Sequence, residues 1–539
     1  RFANMSDGFC ARKAAAQRDV VLIDDVKTAT DAYADADLIA APFPEALGGM
    51  DLPSTISRAS MAWFQAANPG TSSYALLTTA NANLLVAHGS PEQIDTWVRP
   101  MLAGRYSGTM CLSEPQAGSS LADITTKAVP AGDGTYRVSG TKMWISGGEH
   151  ELTENIVHLV LAKAPGGGPG VKGISLFIVP KFLPDGTRND VALVGLNHKM
   201  GNRGTTNTLL NFGDGSHPVP GGSGAVGYLV GQEHRGLFYM FHMMNEARIG
   251  VGFLATAIGY AGYLASLDYA KVRTQGRPPW SKDAASAPVP IIEHADVKRM
   301  LLAQKSYVEG ALALGLYCSR LVDIEATSDR AERDQAHLLL EVLTPIAKAW
   351  PSQWCPEANN LAIQVHGGYG YTTEFDVEQC YRDNRLNPIH EGTNGIQGID
   401  LLGRKVVMDG GAGLTLLYET IVATIDRAPS DGETADYAAA LRAALDDLVA
   451  TTATLWADAN PAVALTNSSV YLQAAGHIVL AWMWLDQLLA VGDKTGDFYD
   501  GKRAAARYFF RFELPTVGPQ LALCKSLDQT TAETDPAWF

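Results

Sequence analysis

Met110-Cys111-Leu112-Ser113-Glu114-Pro115-Gln116-Ala117-Gly118-Ser119-Ser120 marks the point at which the texture of this 539-residue chain changes. Before it, residues 1–109 read mostly as helix, with apolar spacing in Met61-Ala62-Trp63-Phe64 and from Tyr74 to Val86. After it, short β-type runs are separated by Gly, Pro and Asp: Tyr136 to Val138, Lys142 to Ser146, Ile156 to Ala162, Ile174 to Val179, Val191 to Leu196 and Asn207 to Phe212. Alternation with turn chemistry at this density predicts a small antiparallel barrel or sandwich over residues 110–232. Helical periodicity returns at Gly236 and runs to Val272, breaks at a Pro-rich stretch (Arg277 to Pro290), and resumes over 292–326 and 332–360. Helices, then strands, then helices predict a segregated α+β architecture rather than a βαβ alternation.

The length calls for three or four domains. The expected boundaries are 1–109 (helical), 110–232 (β-barrel), 233–408 (helical bundle) and 409–539 (a further helical block). A net charge of −15 argues against nucleic-acid or anionic-membrane binding, which need clustered cations, and the stretch 411–539 is itself acidic by eight charges. The apolar stretch Ile249 to Leu267 is rich in Gly, Ala and Tyr, and reads as a buried bundle helix rather than a membrane span. Six scattered cysteines, none at metal-ligand spacing, read as free thiols in a reducing compartment. No leader is visible, although the chain opens at Arg1 without a Met, so the expectation is a soluble cytoplasmic protein.

Three further segments carry chemistry. Met143-Trp144-Ile145-Ser146-Gly147-Gly148 puts an aromatic and a hydroxyl on one strand; alone, Trp144 reads as a core side chain. Gln364-Val365-His366-Gly367-Gly368-Tyr369-Gly370-Tyr371 is a turn open enough for backbone to approach a phosphate, without the spacing of a dinucleotide fingerprint. His366 within it reads as a packed or turn-capping His. Pro388-Ile389-His390-Glu391-Gly392-Thr393-Asn394 places one carboxylate before a Gly-Thr turn and a periodic run; alone, Glu391 reads as an N-terminal helix charge.

Together these segments resemble the acyl-CoA dehydrogenase family over residues 40–408: Cys111 to Ser119, Lys142 to Ser146, Gln364 to Tyr371 and Glu391-Gly392-Thr393 occur in the family's order. The resemblance implies FAD as cofactor and an acyl-CoA thioester as substrate. It places Met110, Leu112, Ser113, Trp144 and Ser146 against the flavin, and Ser119 near the pantetheine arm. Asn245 (where an Asp is usual), Arg248 and Gly392 are implied on the substrate side. Arg273, Gln275, Gln364, Gly367 and Gly368 match positions that reach the FAD of a neighbouring subunit, and Thr393 lies on the adenine-diphosphate side.

Glu391 matches the catalytic base. The family's chemistry removes the weakly acidic α-hydrogen of a thioester polarised by an oxyanion-hole arrangement, and passes hydride from Cβ to the flavin. Some members carry the base on the helix matching 244–248. That position here is Ala247, and Glu246 is one residue, about 100°, away around the helix.

Departures from the family pattern are His390 in place of an aromatic, Gly395 in place of a Gln, and one residue deleted near Thr274-Gln275-Gly276. The added C-terminal block resembles an extended bacterial branch that includes the 3-methylmercaptopropionyl-CoA dehydrogenases. That implies a homodimer (or tetramer), an electron-transfer flavoprotein as acceptor, and a methylthiopropionyl or other short thioester, with medium or long fatty acyl-CoA as the alternative. A non-catalytic, DNA-binding flavoprotein of this fold predicts a basic C-terminal block instead.

Overall fold

The structure, a computed structural model, describes residues 12–13, 20–278, 280 and 285–539, except the side chains at 12, 13, 21, 242 and 245. The Cys10 thiol and the Asn245 side chain therefore lie outside the described residues. The chain forms two compact units, up to Ala247 and from Arg248.

The first unit opens with helices α1 (Asp24–Asp35), α2 (Ser54–Ala67) and α3 (Pro69–His88). Asn68 caps α3, its side chain accepting from the Thr71 N–H at 2.9 Å, and Pro69 sits where a missing N–H costs nothing. Eight strands follow: β1 (Tyr106–Cys111), β2 (Lys127–Pro130), β3 (Tyr136–Ser146), β4 (Asn155–Lys163), β5 (Ile174–Pro180), β6 (Val191–Leu196), β7 (Asn207–Phe212) and β8 (Ala225–Leu229). The sheet closes into a ring through β8–β5–β4–β2–β3 and back to β8. β7 and β6 extend it from β3.

The expected barrel is present, with two corrections. β1 and β2 both pair with β4 in parallel, while the remaining pairings are antiparallel. The two runs read as separate strands, 136–138 and 142–146, form one strand, bulged between Lys142 and Ile145. Strand β4 shows why the barrel sits where it does. Val157, Leu159 and Leu161 face the helical layer of Ala80, Leu84, Leu85 and Met243, while Val160 and Ala162 fill the barrel with Phe177, Leu210 and Phe212. Asn81 of α3 rivets helix to sheet by donating to the carbonyls of Thr109 (3.1 Å) and Val157 (2.8 Å). Gly108 permits this approach: a Cβ there would lie 2.5 Å from that of Asn81.

Helix α4 (Gly236–Val272) begins in the first unit and ends in the second. The second unit continues with α5 (Ala295–Thr327), α6 (Arg330–His366), α7 (Val377–Asn384) and α8 (Asn394–Asp400). α6 runs through Pro345, Pro351 and Pro356. The final block adds α9 (Ala412–Ile425), α10 (Glu433–Leu455), α11 (Ser468–Val491), α12 (Asp497–Tyr508) and α13 (Val517–Lys525). It packs onto the bundle within the same unit: buried Trp484 of α11 donates to the Ser306 carbonyl of α5 at 3.1 Å.

By length and composition alone, Gly236–Val272 and Ser468–Val491 could each cross a membrane, yet 78% of the most apolar window of each is buried inside the protein. The stretch 249–267 is thus a packed bundle helix, as its Gly and Ala content predicts. The five described cysteines are free thiols.

Candidate active site

Glu391 sits in the loop between α7 and α8 with a left-handed backbone (φ 52°), followed by Gly392 (φ 87°). Two such residues in succession turn the chain sharply, and the turn is held from behind. The Gln397 amide donates to the carbonyls of Glu391 (3.2 Å) and Gly392 (3.3 Å). The φ favours Gly, and a Cβ on Gly392 would lie 2.5 Å from that amide nitrogen and displace the Gln397 side chain from the turn it holds. Thr393 caps α8, its hydroxyl accepting from the Ile396 N–H at 3.4 Å. The cap of α8 is thus Thr393, and Glu391 stands two residues ahead of it in the turn.

Burial raises the Glu391 carboxyl above its usual range, against the opposing pull of two cations, Lys348 and Arg248. Arg248 is buried and donates to Asp400 at 3.1 Å. Its Nε, and Oε1 of buried Gln397, have no hydrogen-bond partner. His390 donates through Nε2 to Asn387 Oδ1 at 3.0 Å, and burial, with Lys348 nearby, pushes it down to about 3, so it is a neutral ring. Behind it, Asn387 donates to Asn384 (2.8 Å), Asn384 to Asn359 (2.7 Å), and Asn359 to the Ile258 carbonyl (3.1 Å). A backbone carbonyl can only accept, so the end of the chain fixes the direction of every amide and the tautomer of His390.

A second cluster in the same unit joins the end of α4 to the glycine-rich turn. His366 is buried and stacks on Tyr269 with centroids 4.3 Å apart, as a packed His should. Arg273 lies 5.6 Å from the Tyr369 ring centre and donates to Gln275 at 3.3 Å. Gln364, Gly367 and Gly368 are exposed, and a Cβ on either glycine would meet nothing within 4 Å.

The remaining candidates lie in the first unit, most of them on or just after β1 and β3. Met110 and Leu112 pack on the helical core. The Ser113 backbone carbonyl accepts from the Met143 N–H at 2.9 Å, and the Ser146 hydroxyl accepts from the Asn207 amide at 3.2 Å. Trp144 is not a core residue, contrary to the reading of that residue alone. It sits at the bulge with φ 66° and the residue is 58% exposed, because the bulge turns it out of the barrel wall. Ser119 is exposed. Glu246, the alternative base, is tied down by Asn83 (2.7 Å) and Arg58 (3.5 Å).

Sequence reasoning missed the supports. Glu114 accepts from Lys142, both hydroxyls and both backbone N–H groups of Thr125 and Thr126, and Gln116. Burial would raise its pKa, but Lys142 and these donors outweigh that and hold it down at about 2. Lys348 was also unmarked. A lone cation inside Leu343-Thr344-Pro345-Ile346-Ala347-Lys348-Ala349-Trp350 was the available signal, since such a run is buried.

Four family models match in order: the acyl-CoA dehydrogenase N-terminal domain (2–105), middle domain (109–214) and C-terminal domain (234–406), then the acetyl-CoA dehydrogenase C-terminal-like domain (417–535). The chain is 38% identical over 508 residues to 3-methylmercaptopropionyl-CoA dehydrogenase of Ruegeria pomeroyi, covering 91% of this chain and 84% of that one. It is 34% identical to the broad-specificity linear acyl-CoA dehydrogenase FadE5 of Mycobacterium tuberculosis, covering 96% and 88%. In fold it is similar to Caenorhabditis elegans ACDH-11 in complex with C11-CoA (TM-score 0.78, 16% identity, covering 99% and 88%). It is similar also to an acyl-CoA dehydrogenase complexed with FAD from Bacillus anthracis (TM-score 0.77, 18% identity, covering 96% and 84%). On these matches and the motifs that carry them, the chain belongs to the acyl-CoA dehydrogenase family.

Proposed function

We propose that this chain is an FAD-dependent acyl-CoA dehydrogenase that introduces an α,β double bond into a short acyl-CoA thioester, with Glu391 as the base. The observation that carries the reading is the Glu391 loop. A single carboxylate is held on a left-handed turn, its pKa raised by burial, beside the unpaired polar atoms Arg248 Nε and Gln397 Oε1. A desolvated carboxylate is a stronger base than one in water, and the orphaned atoms suit a polar ligand.

The residues present fit FAD. Trp144 offers an exposed aromatic face at the bulge, with the Ser113 and Ser146 hydroxyls on the neighbouring strand ends. Leu112, Ser113, Trp144, Ser146 and Thr393 would hold it, and Arg273, Gln275, Gln364, Gly367 and Gly368 would reach that of a second copy. When bound, FAD supplies the two-electron acceptor for the Cβ hydrogen. Glu391 takes the α-proton, while Arg248 and Ser119 orient the thioester and its pantetheine arm.

Similarity to the Ruegeria protein supports 3-methylthiopropionyl-CoA, and with it a place in dimethylsulfoniopropionate breakdown. Similarity to FadE5 supports linear fatty acyl-CoA as the second reading. A homodimer, an electron-transfer flavoprotein as acceptor and a cytoplasmic location complete the proposal. The acidic C-terminal block speaks against the DNA-binding alternative.

The test is anaerobic flavin absorbance during titration with a panel of acyl-CoAs, in wild type and Glu391→Gln. Bleaching by one thioester in the wild type, lost in Glu391→Gln with FAD retained, is expected. Retained bleaching in that variant, with loss in Glu246→Gln, would move the base to α4.

A further inference from the structure

Two cations act on Glu391, and they are not equivalent. Arg248 has a carboxylate of its own, Asp400, which it meets at 3.1 Å and which also accepts from Arg404 at 2.8 Å. Its charge is offset where it stands. Lys348, on α6, has a fully buried side chain, and among the described residues no carboxylate lies within ion-pair distance of its ammonium. Its recorded hydrogen bond is to the Asn387 carbonyl at 2.8 Å, four residues before Glu391 in the same loop.

A buried ammonium without a counter-ion is costly, and it responds by losing its proton or by drawing an anion. The other groups near it supply no anion. His390 is a neutral ring, and Arg248 repels. Among the described residues, Glu391 is the anion that acts on it.

We propose that Lys348 is a positioning residue for the base: pinned to the loop through Asn387, it is the buried cation that keeps Glu391 ionised and ready to accept a proton. This rests on the reading of Glu391 as the base. The relation is reciprocal. Burial pushes the Lys348 ammonium down to about 7, against the attraction of Glu391, and burial pushes Glu391 up against the attraction of Lys348. When Glu391 becomes protonated, Lys348 loses the anion that favours its own charge. The two groups therefore titrate as a pair, and the proton on one lowers the affinity of the other.

Two measurements test this. In protein carrying 13C-labelled lysine, the Lys348 Cε signal is assigned by its loss in Lys348→Arg and followed with pH, in wild type and Glu391→Gln. Removing the carboxylate should lower the Lys348 midpoint by at least one unit, a tenfold change in proton affinity. An unchanged midpoint overturns the proposal. This titration uses no acyl-CoA, so it stays readable even if no thioester reduces the flavin.

The second measurement is the pH profile of flavin reduction in wild type, Lys348→Met and Lys348→Arg. Losing the cation should move the acid limb upward by a unit or more, and Arg should restore it. A Lys348→Met protein that folds with an unmoved limb overturns the proposal, since a purely structural lysine changes stability or FAD content without shifting that limb. If Lys348→Met does not fold, the lysine titration decides.

Discussion

Lys142 donates to Glu114 at 2.9 Å inside the wall of the β-domain, and their side chains are 0% and 1% exposed. The same ammonium reaches the Leu112 carbonyl at 2.9 Å, so one lysine on β3 fixes the loop that follows β1. The loop carries Leu112 and Ser113, while Trp144 and Ser146 lie on the strand of Lys142 itself. The buried pair thus sets the spacing between two rows of proposed flavin contacts.

Breaking this pair from one side should be severe. Lys142→Met leaves a desolvated carboxylate and should destabilise the protein by about 3–5 kcal/mol. Lys142→Met with Glu114→Gln should recover part of that loss, because no charge is left stranded. Denaturant melts of the two single variants and the double variant would measure the coupling. Additive effects would mean that the two groups do not act as a unit.

Acid sensitivity follows from four groups. His150, His158 and His390 are all pushed down to about 3, each chiefly by burial. A histidine whose folded pKa is depressed binds more protons unfolded than folded, so stability rises with pH across that interval. Their contribution is complete above about 6.5, the unfolded value, and is lost as pH falls toward 3. Glu114, depressed to about 2, adds stability that is present above its unfolded value and is lost as pH falls through its folded one. Stability from denaturant melts should therefore decline steadily below about pH 6.5 and steepen below about 4.5. A flat profile from pH 7 to 4 would contradict the neutral, buried state of these rings.

The helical segments and most strands were legible because apolar period and turn residues are local. Gly236 and Val272 bound α4 where the texture changes, and Ile174 to Val179 is a strand within one residue. Glu391 was legible only through the order of motifs, since nothing local separates it from a helix charge. Trp144 was misread on its own because a two-residue alternation assumes a regular strand, and the bulge between Lys142 and Ile145 breaks that rule. The asparagine chain from Asn359 through Asn384 and Asn387 to His390 could not be read at all. Asn384, Asn387 and His390 are close in sequence, but Asn359 lies 25 residues earlier on α6, and each alone passes for a turn or helix-surface residue.

The cluster at the end of α4 leads to the last prediction. Arg273, Gln275, Gln364, Gly367 and Gly368 are exposed in the single chain, although Arg273 is already oriented by Tyr369 and Gln275. An open polar surface of this kind, whose Arg273 has no ion-pair partner among the described residues, suits a group delivered by a second copy. Arg273→Ala and Gln364→Ala should therefore weaken FAD retention about tenfold or more each, equivalent to ~1.4 kcal/mol, while leaving the secondary structure intact. The ratio of flavin to protein absorbance across a gel-filtration peak, with light scattering to fix the mass, reads this directly. Dilution that dissociates the oligomer should release FAD in parallel. A species of verified monomer mass that keeps its full flavin complement would show that each chain holds its cofactor alone.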